Sequence, residues 1–403
     1  MKHESLKTAL FLAAAIALAI TAAWVDPGSA RPEILSDEGE PLFPGFREVD
    51  QVKAIEVVDY NEEQAVARPL KVEFRNNRWL LPSHNDYPAE AGDRLAKTAA
   101  AFLGLRKDTV VSDLMEDHAR HGVIDPLDAS TGSLAGRGTR VTLRDEQGRV
   151  LADVILGRPV PEKEGFRYLR LPGQKRTYGV KTEADPSANF ADWVEDNLLR
   201  LAASELRQIT VNSYSIDETF GRLANVQRVV ITRDGGSWKS EGDYTPSQAA
   251  IRAAVNPLAS IRIAGARPKP EPLARQLRDG QLEMTLETMM SLRQRGYFLT
   301  QTGQLLSNEG EVMVETSRGL LYTLRFGEIV SGGAVSAGEE EDGGAGQQDR
   351  FLFVTVSHSA GRAAKHGGDT AAGQRDATYL SRKFADWYYV ISGADFATLR
   401  LRR

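Results

Sequence analysis

Six histidines, His3, His84, His118, His121, His358 and His366, are where acid–base or metal chemistry would have to start. His118 and His121 stand three apart, so on a helix they share a face. Met115-Glu116-Asp117 brings carboxylates beside them. Such a pair can ligate a metal, but a strong site needs a third ligand and supporting hydrogen bonds. The spacing reads instead as a solvated helix end stopped by Gly122. His84-Asn85-Asp86 sets a His beside an Asp, a pairing that catalyses only where further partners converge. Its place in a short polar run reads as an Asx-type turn leading into a helix. Glu339-Glu340-Glu341-Asp342 could hold cations or a basic partner, yet glycines on both sides make it read as an extended, solvated loop.

No nucleophile elbow, Walker-type phosphate loop, dinucleotide fingerprint, zincin helix or EF-hand loop occurs in the sequence. No catalytic residue, cofactor or metal ligand is therefore expected. A Ser–His–Asp group assembled from distant positions is the form an enzyme would have to take. The chain contains no cysteine, which excludes Cys-based metal and redox chemistry and leaves stability to the core. A net charge of −5 over 403 residues argues against a nucleic-acid partner, which would need a clustered basic face.

The elements that would position any site repeat along the chain. Val72 to Trp79 parallels Val230 to Trp238, each reading as a strand, a tight polar turn and a second strand opened by Trp. Tyr87-Pro88 and Tyr244-Thr245-Pro246 follow, with each proline placed where a helix would begin. Leu95, Phe102 and Leu103 mark one helix face, and Ile251, Val255 and Leu258 mark the other. Alternating strand pairs come next, Thr139 to Leu156 and Glu311 to Phe326, then single strands at Phe166 to Leu171 and Phe351 to Val356. Phe190-Ala191-Asp192-Trp193 recurs as Phe384-Ala385-Asp386-Trp387. Between its Trp landmarks the second copy is longer, 149 positions against 114. Ser331 to Gln348 and Ser357 to Gln374, rich in Gly and Ala, are expected to hold the excess as mobile loops. Residues common to both copies, the recurrent Trp above all, are expected in a shared core.

Thr8 to Val25 carries no charge and would reach about 27 Å as a helix, enough for a membrane span. Lys2 and Lys7 precede it and Asp26-Pro27 follows, which orients the N-terminus toward the cytoplasm. A cleaved signal peptide ending near Gly28-Ser29-Ala30 is the competing reading. The expected fold is α+β: an N-terminal transmembrane helix followed by two tandem repeats of an antiparallel-strand-rich unit. In numbers, 1–7 is cytoplasmic, 8–25 the anchor, 26–49 a linker, 50–205 the first unit and 206–403 the second.

With these landmarks the chain resembles the domain of unknown function 4340 family (DUF4340). The matching run goes from Trp79 through Tyr87-Pro88-Ala89, His121-Gly122-Val123 and Val141 to Gly157, then Tyr168-Leu169-Arg170, Tyr178-Gly179-Val180 and Phe190 to Leu199. The resemblance implies a membrane-anchored envelope protein associated with gliding-motility-type ABC transporters, and it carries over no catalytic residue. The function expected is a non-enzymatic accessory or scaffold protein at the inner (cytoplasmic) membrane, its body extracytoplasmic. Its partners would be envelope or integral-membrane proteins, ABC transporter permease components among them. An envelope glycan or small-ligand binder, with a groove between the units, is the alternative. A hydrolase with a dispersed site stands behind it.

Overall fold

The computed structural model describes residues 37–401 apart from 196, 218–221 and 331–347. Thr8 to Val25, His3 and the Glu339 to Asp342 run lie outside the described residues. The expected fold led by a transmembrane helix needs correction. Among the described residues three antiparallel sheets dominate, with eight α-helices of 4 to 16 residues around them, and none of these helices is long and apolar enough to cross a membrane.

The first part of the chain runs β1 (Ala54–Asn61), β2 (Val66–Arg75), β3 (Arg78–Leu81), β4 (Tyr87–Pro88), α1 (Gly92–Ala100) and β5 (Thr109–Ser112). It continues through α2 (His118–His121), β6 (Thr139–Arg144), β7 (Val150–Pro159), β8 (Phe166–Arg170) and β9 (Thr177–Lys181). The second part runs β10 (Leu206–Asp217), β11 (Arg222–Asp234), β12 (Ser237–Gly242), α3 (Gln248–Ala259) and β13 (Gly265–Pro268). An added layer follows: α4 (Glu271–Asp279), α5 (Leu286–Arg293) and the hairpin β14 (Tyr297–Leu299) and β15 (Leu305–Ser307). Then come β16 (Glu311–Thr316), β17 (Leu320–Ile329), β18 (Arg350–His358), α6 (Ala360–Lys365), α7 (Thr370–Ala385), β19 (Trp387–Ile391) and α8 (Gly393–Leu399).

The strand order is β4-β3-β2-β1-β6-β7-β8-β9-β5 in the first sheet and β12-β11-β10-β16-β17-β18-β19-β13 in the second. Without the two-residue β4, the two paths coincide station by station. The Phe-Ala-Asp-Trp pair does not share a station. Phe190–Trp193 forms a 3-10 turn after β9, whereas Phe384 and Ala385 end α7 and Trp387 opens β19, the strand that stands where β9 does. Two aromatics three apart bury one face of a tight turn or a helix end equally well, so the tetrapeptide match reflects burial rather than position.

Alternation sets the two faces of each sheet. In β18 Leu352 and Val354 join the main core while Phe353 points to the opposite face, and in β19 Tyr389 and Ile391 point inward while Tyr388 points out. The main core is continuous through both sheets and takes in Leu95, Phe102, Ile251 and Leu258 from the helical segments. Both faces of the central strands are therefore covered, which explains their near-continuous apolar runs.

Three local readings also change. Tyr87–Pro88 pairs with Leu80 and Leu81 as a strand, so α1 starts only at Gly92, and Leu103 past its end is exposed. The expected loop over 357–374 instead holds the end of β18, all of α6 and the start of α7. Ser359 and Asp369 cap the two helices by accepting hydrogen bonds from Arg362 N and Ala372 N. Ala363, Ala377, Leu380 and Phe384 supply the buried stripe that an Ala-rich helix needs. Of the other loop, 331–347 lies outside the described residues.

Candidate functional site

The same step of the path carries an inserted segment in both sheets, between β5 and β6 and between β13 and β16. Each insert crosses the face opposite the main core. In the first, Val123 and His121 press on Gly157 of β7, where a Cβ would lie 2.4 Å from the His121 carbonyl oxygen. His121 stacks on Tyr168 at 4.3 Å, and His118 Nε2 lies 2.7 Å from the Lys175 carbonyl oxygen. Arg137 pins the loop beyond by donating from Nη1 to the carbonyls of Asp125 and Asp128, at 2.9 and 2.8 Å, while its guanidinium lies 4.5 Å over Tyr60. Arg140 donates to Asp125 and Asp153.

His118 and His121 thus do share one short helix stopped by left-handed Gly122. They are buried rather than solvated, at 8 and 3% exposure. Burial together with the Arg120 charge lowers the His121 pKa, so its imidazole packs as a neutral ring. No group of three His, Asp or Glu side chains able to hold a metal occurs among the described residues.

The second insert is held by Lys269. Its ammonium donates to the carbonyls of Phe384 and Trp387 at 2.7 and 2.5 Å, closing the C-terminal end of α7, and sits 4.2 Å over Phe353. Complete burial drives its pKa well down. Around it Leu273, Leu292, Tyr297, Leu305, Phe353 and Tyr388 form a second, smaller core. Ser291 Oγ and Tyr388 OH are hydrogen-bonded at 2.9 Å, and Arg325 Nε donates to Leu305 O at 2.9 Å. Arg278 pairs with both Glu271 and Asp386.

What the inserts turn outward is apolar. Leu114, Met115, Leu127 and Leu134 are exposed on the first; Met284, Leu286, Met289 and Met290 are exposed on the second, Leu286 at 70%. Methionine shows the pattern best. The chain has six, and Met115, Met284, Met289 and Met290 are all exposed on these inserts. Two hollows flank the second insert. One of about 290 Å³ lies among Leu277, Leu282, Phe353 and Phe384. The other, of about 600 Å³, runs between α5 and the Pro268–Pro270 turn. A third, of about 450 Å³, opens beside the β6–β7 turn and is lined by charged side chains including Lys53, Asp145 and Arg149.

The junction between the two sheets is filled by the chain itself. Tyr87 meets Trp387 edge-on at 4.9 Å and Phe190 at 5.5 Å, while His84 lies 4.8 Å from Phe190. Tyr322 OH donates to Leu199 O at 2.9 Å, and Lys383 pairs with Glu195. Burial, and behind it Arg267, pushes the His84 pKa down to about 4. Trp193 is fully buried, and Trp79, Trp238 and Trp387 pack against the core. Of the four recurrent Trp residues only Trp193 is buried; Trp79, Trp238 and Trp387 are half-buried.

The remaining histidines do not gather. His84 Nδ1 lies 2.9 Å from its neighbour Ser83 Oγ, and His358 Nδ1 lies 2.9 Å from Gln374 Oε1. His366 lies just past α6, near Arg207 and Glu315. Neither Lys269 nor the exposed inserts stood out among the sequence motifs. The crowding of three methionines into Met284 to Met290 was the available signal.

The model of the family described as domain of unknown function (DUF4340) matches residues 79–279. The chain belongs to the DUF4340 family. The match begins at the β3 tryptophan, contains the first insert whole and ends with α4 inside the second. The family region therefore straddles both sheets, where the sequence motifs had placed the likeness chiefly in the first. No curated protein and no solved structure matches the chain.

Proposed function

We propose that this DUF4340 protein is a non-enzymatic accessory or scaffold protein that works through protein–protein contacts. The complex it serves is an envelope assembly of the ABC-transporter type, and an extracytoplasmic position at the cytoplasmic membrane belongs to the same proposal. One observation carries the reading: most of the methionines stand exposed on two inserts at equivalent stations, each rigidly packed on its own sheet. Large apolar side chains on a rigid support mark contact surfaces, and the unbranched thioether adapts to a partner's shape.

The test is cross-linking and co-purification at native expression, followed by mass spectrometry and membrane fractionation. Leu114→Glu with Met115→Glu, and Met289→Glu with Met290→Glu, are compared with the unaltered chain. A defined envelope protein should be recovered with the unaltered chain and depleted at least several-fold with one or both variants. Recovery of the chain alone, or equal recovery from all three, overturns the reading.

A further inference from the structure

The hollow beside α5 has a chemistry that narrows the partner, given that the inserts are contact surfaces. Leu286 and Met290 of α5 line it and are exposed, and Pro268 and Pro270 line it from the preceding turn. Arg295 and Lys269 lie in its wall. The Arg295 guanidinium stacks 4.5 Å from Tyr388 and 5.7 Å from Phe351, and Nη1 donates to Ser291 O at 3.0 Å. Its buried Nε has no acceptor among the described residues. No described carboxylate lies within ion-pair distance of Arg295, whereas the fully buried Lys269 is satisfied by the Phe384 and Trp387 carbonyls, with its pKa driven well down. By contrast, Arg275 and Arg278 of α4 are paired with Glu271 and, for Arg278, Asp386. Glu287, exposed on the outer rim, is the one acid lining the hollow.

We propose that this groove docks an acidic, apolar-faced helical segment of a protein partner, with a carboxylate on Arg295 and apolar side chains on Leu286 and Met290. The Arg295 guanidinium, with a buried Nε lacking an acceptor and no described carboxylate within ion-pair distance, favours an incoming acid, and fixed aromatic stacking holds it ready. The apolar contacts stand on an open helix ridge rather than around a closed tunnel, which suits a helix face better than an acyl chain. Methionine lets the ridge repack around side chains of different shape.

The experiment measures fluorescence anisotropy of synthetic amphipathic peptides against the full chain. One peptide carries Leu at helical spacing with Glu elsewhere; its counterpart carries Lys in place of Glu. The acidic peptide should bind at least tenfold more tightly, and added salt should weaken it. Arg295→Gln should lose at least tenfold, Met289→Glu with Met290→Glu at least as much, and Arg295→Lys, which keeps the charge but not the stacked fork, should lose less than Arg295→Gln, with circular dichroism confirming that each variant folds. Equal binding of the two peptides, or no loss in Arg295→Gln, overturns the proposal. So do phosphatidylglycerol vesicles that displace the acidic peptide and lose binding in the same variants, since they assign the groove to lipid. If the Leu114/Met115 variant alone loses the native partner, this groove is wrong while the contact function stands; if neither variant loses it, both fail.

Discussion

Truncating Phe353 to alanine separates the two packed faces of the second sheet. Phe353 is fully buried, on the face opposite the main core. Its ring meets Tyr297 at 5.3 Å and Tyr388 at 5.8 Å, both edge-on, and carries the Lys269 ammonium 4.2 Å above it. Removing a buried phenyl group costs about 3–5 kcal/mol in transfer and cavity terms, with the aromatic pairs included. Where in that range the cost falls depends on how far Tyr297, Tyr388 and Leu292 collapse into the space. Leu352→Ala, one residue away, should cost about 2–5 kcal/mol but strike the main core instead.

Urea unfolding gives both totals, and hydrogen exchange shows where each falls. Phe353→Ala should speed exchange first in 270–307, because α4, α5 and the β14–β15 hairpin lose the ring they pack on. Leu352→Ala should leave that segment's protection relative to the rest unchanged. A loss below about 1 kcal/mol in Phe353→Ala, or faster exchange spread evenly over both sheets, would refute the argument that the insert is a layer built on this face.

Gly136 has φ +83° and a Cβ there would sit 2.4 Å from the Ala119 carbonyl oxygen, so Gly136→Ala should cost about 2 kcal/mol or more in thermal melts. His84, with its folded-state pKa depressed to about 4 against an ordinary value of 6.5, contributes stability that is present in full above 6.5 and lost as pH falls toward 4. Allowing for solvent screening at this half-buried ring, stability should fall by about 1–2 kcal/mol between pH 7 and 4.5, a share that His84→Gln removes from the acid-unfolding curve. Glu195→Gln should cost about 2 kcal/mol by stranding the largely buried Lys383, and adding Lys383→Met should restore much of it in a double-mutant cycle.

Periodicity and turn chemistry were legible along the chain because they are local. The alternation in Glu311 to Phe326, the Asn76-Asn77 turn with both residues at positive φ, and the Ile251, Val255 and Leu258 stripe all appear where their spacing puts them. Composition misled at 357–374, where Ala and Gly content suggested a loop but capped helices formed on a sheet that buries their small faces. The recurrent Phe-Ala-Asp-Trp misled for a related reason, since burial of two aromatics does not depend on a station in the sheet. The candidate surface was not legible at all. Met289 and Met290 look like core residues until the second core beneath them is seen to be already filled by Leu292, Tyr297 and Tyr388. The sequence by itself determined the family and the locally encoded strands, turns and helix stripe named above. Only the tertiary structure decided which apolar residues face outward and that Arg295 has no carboxylate beside it while Lys269 is buried on two carbonyls, because both depend on groups brought together from Lys269 to Trp387, far apart in the chain.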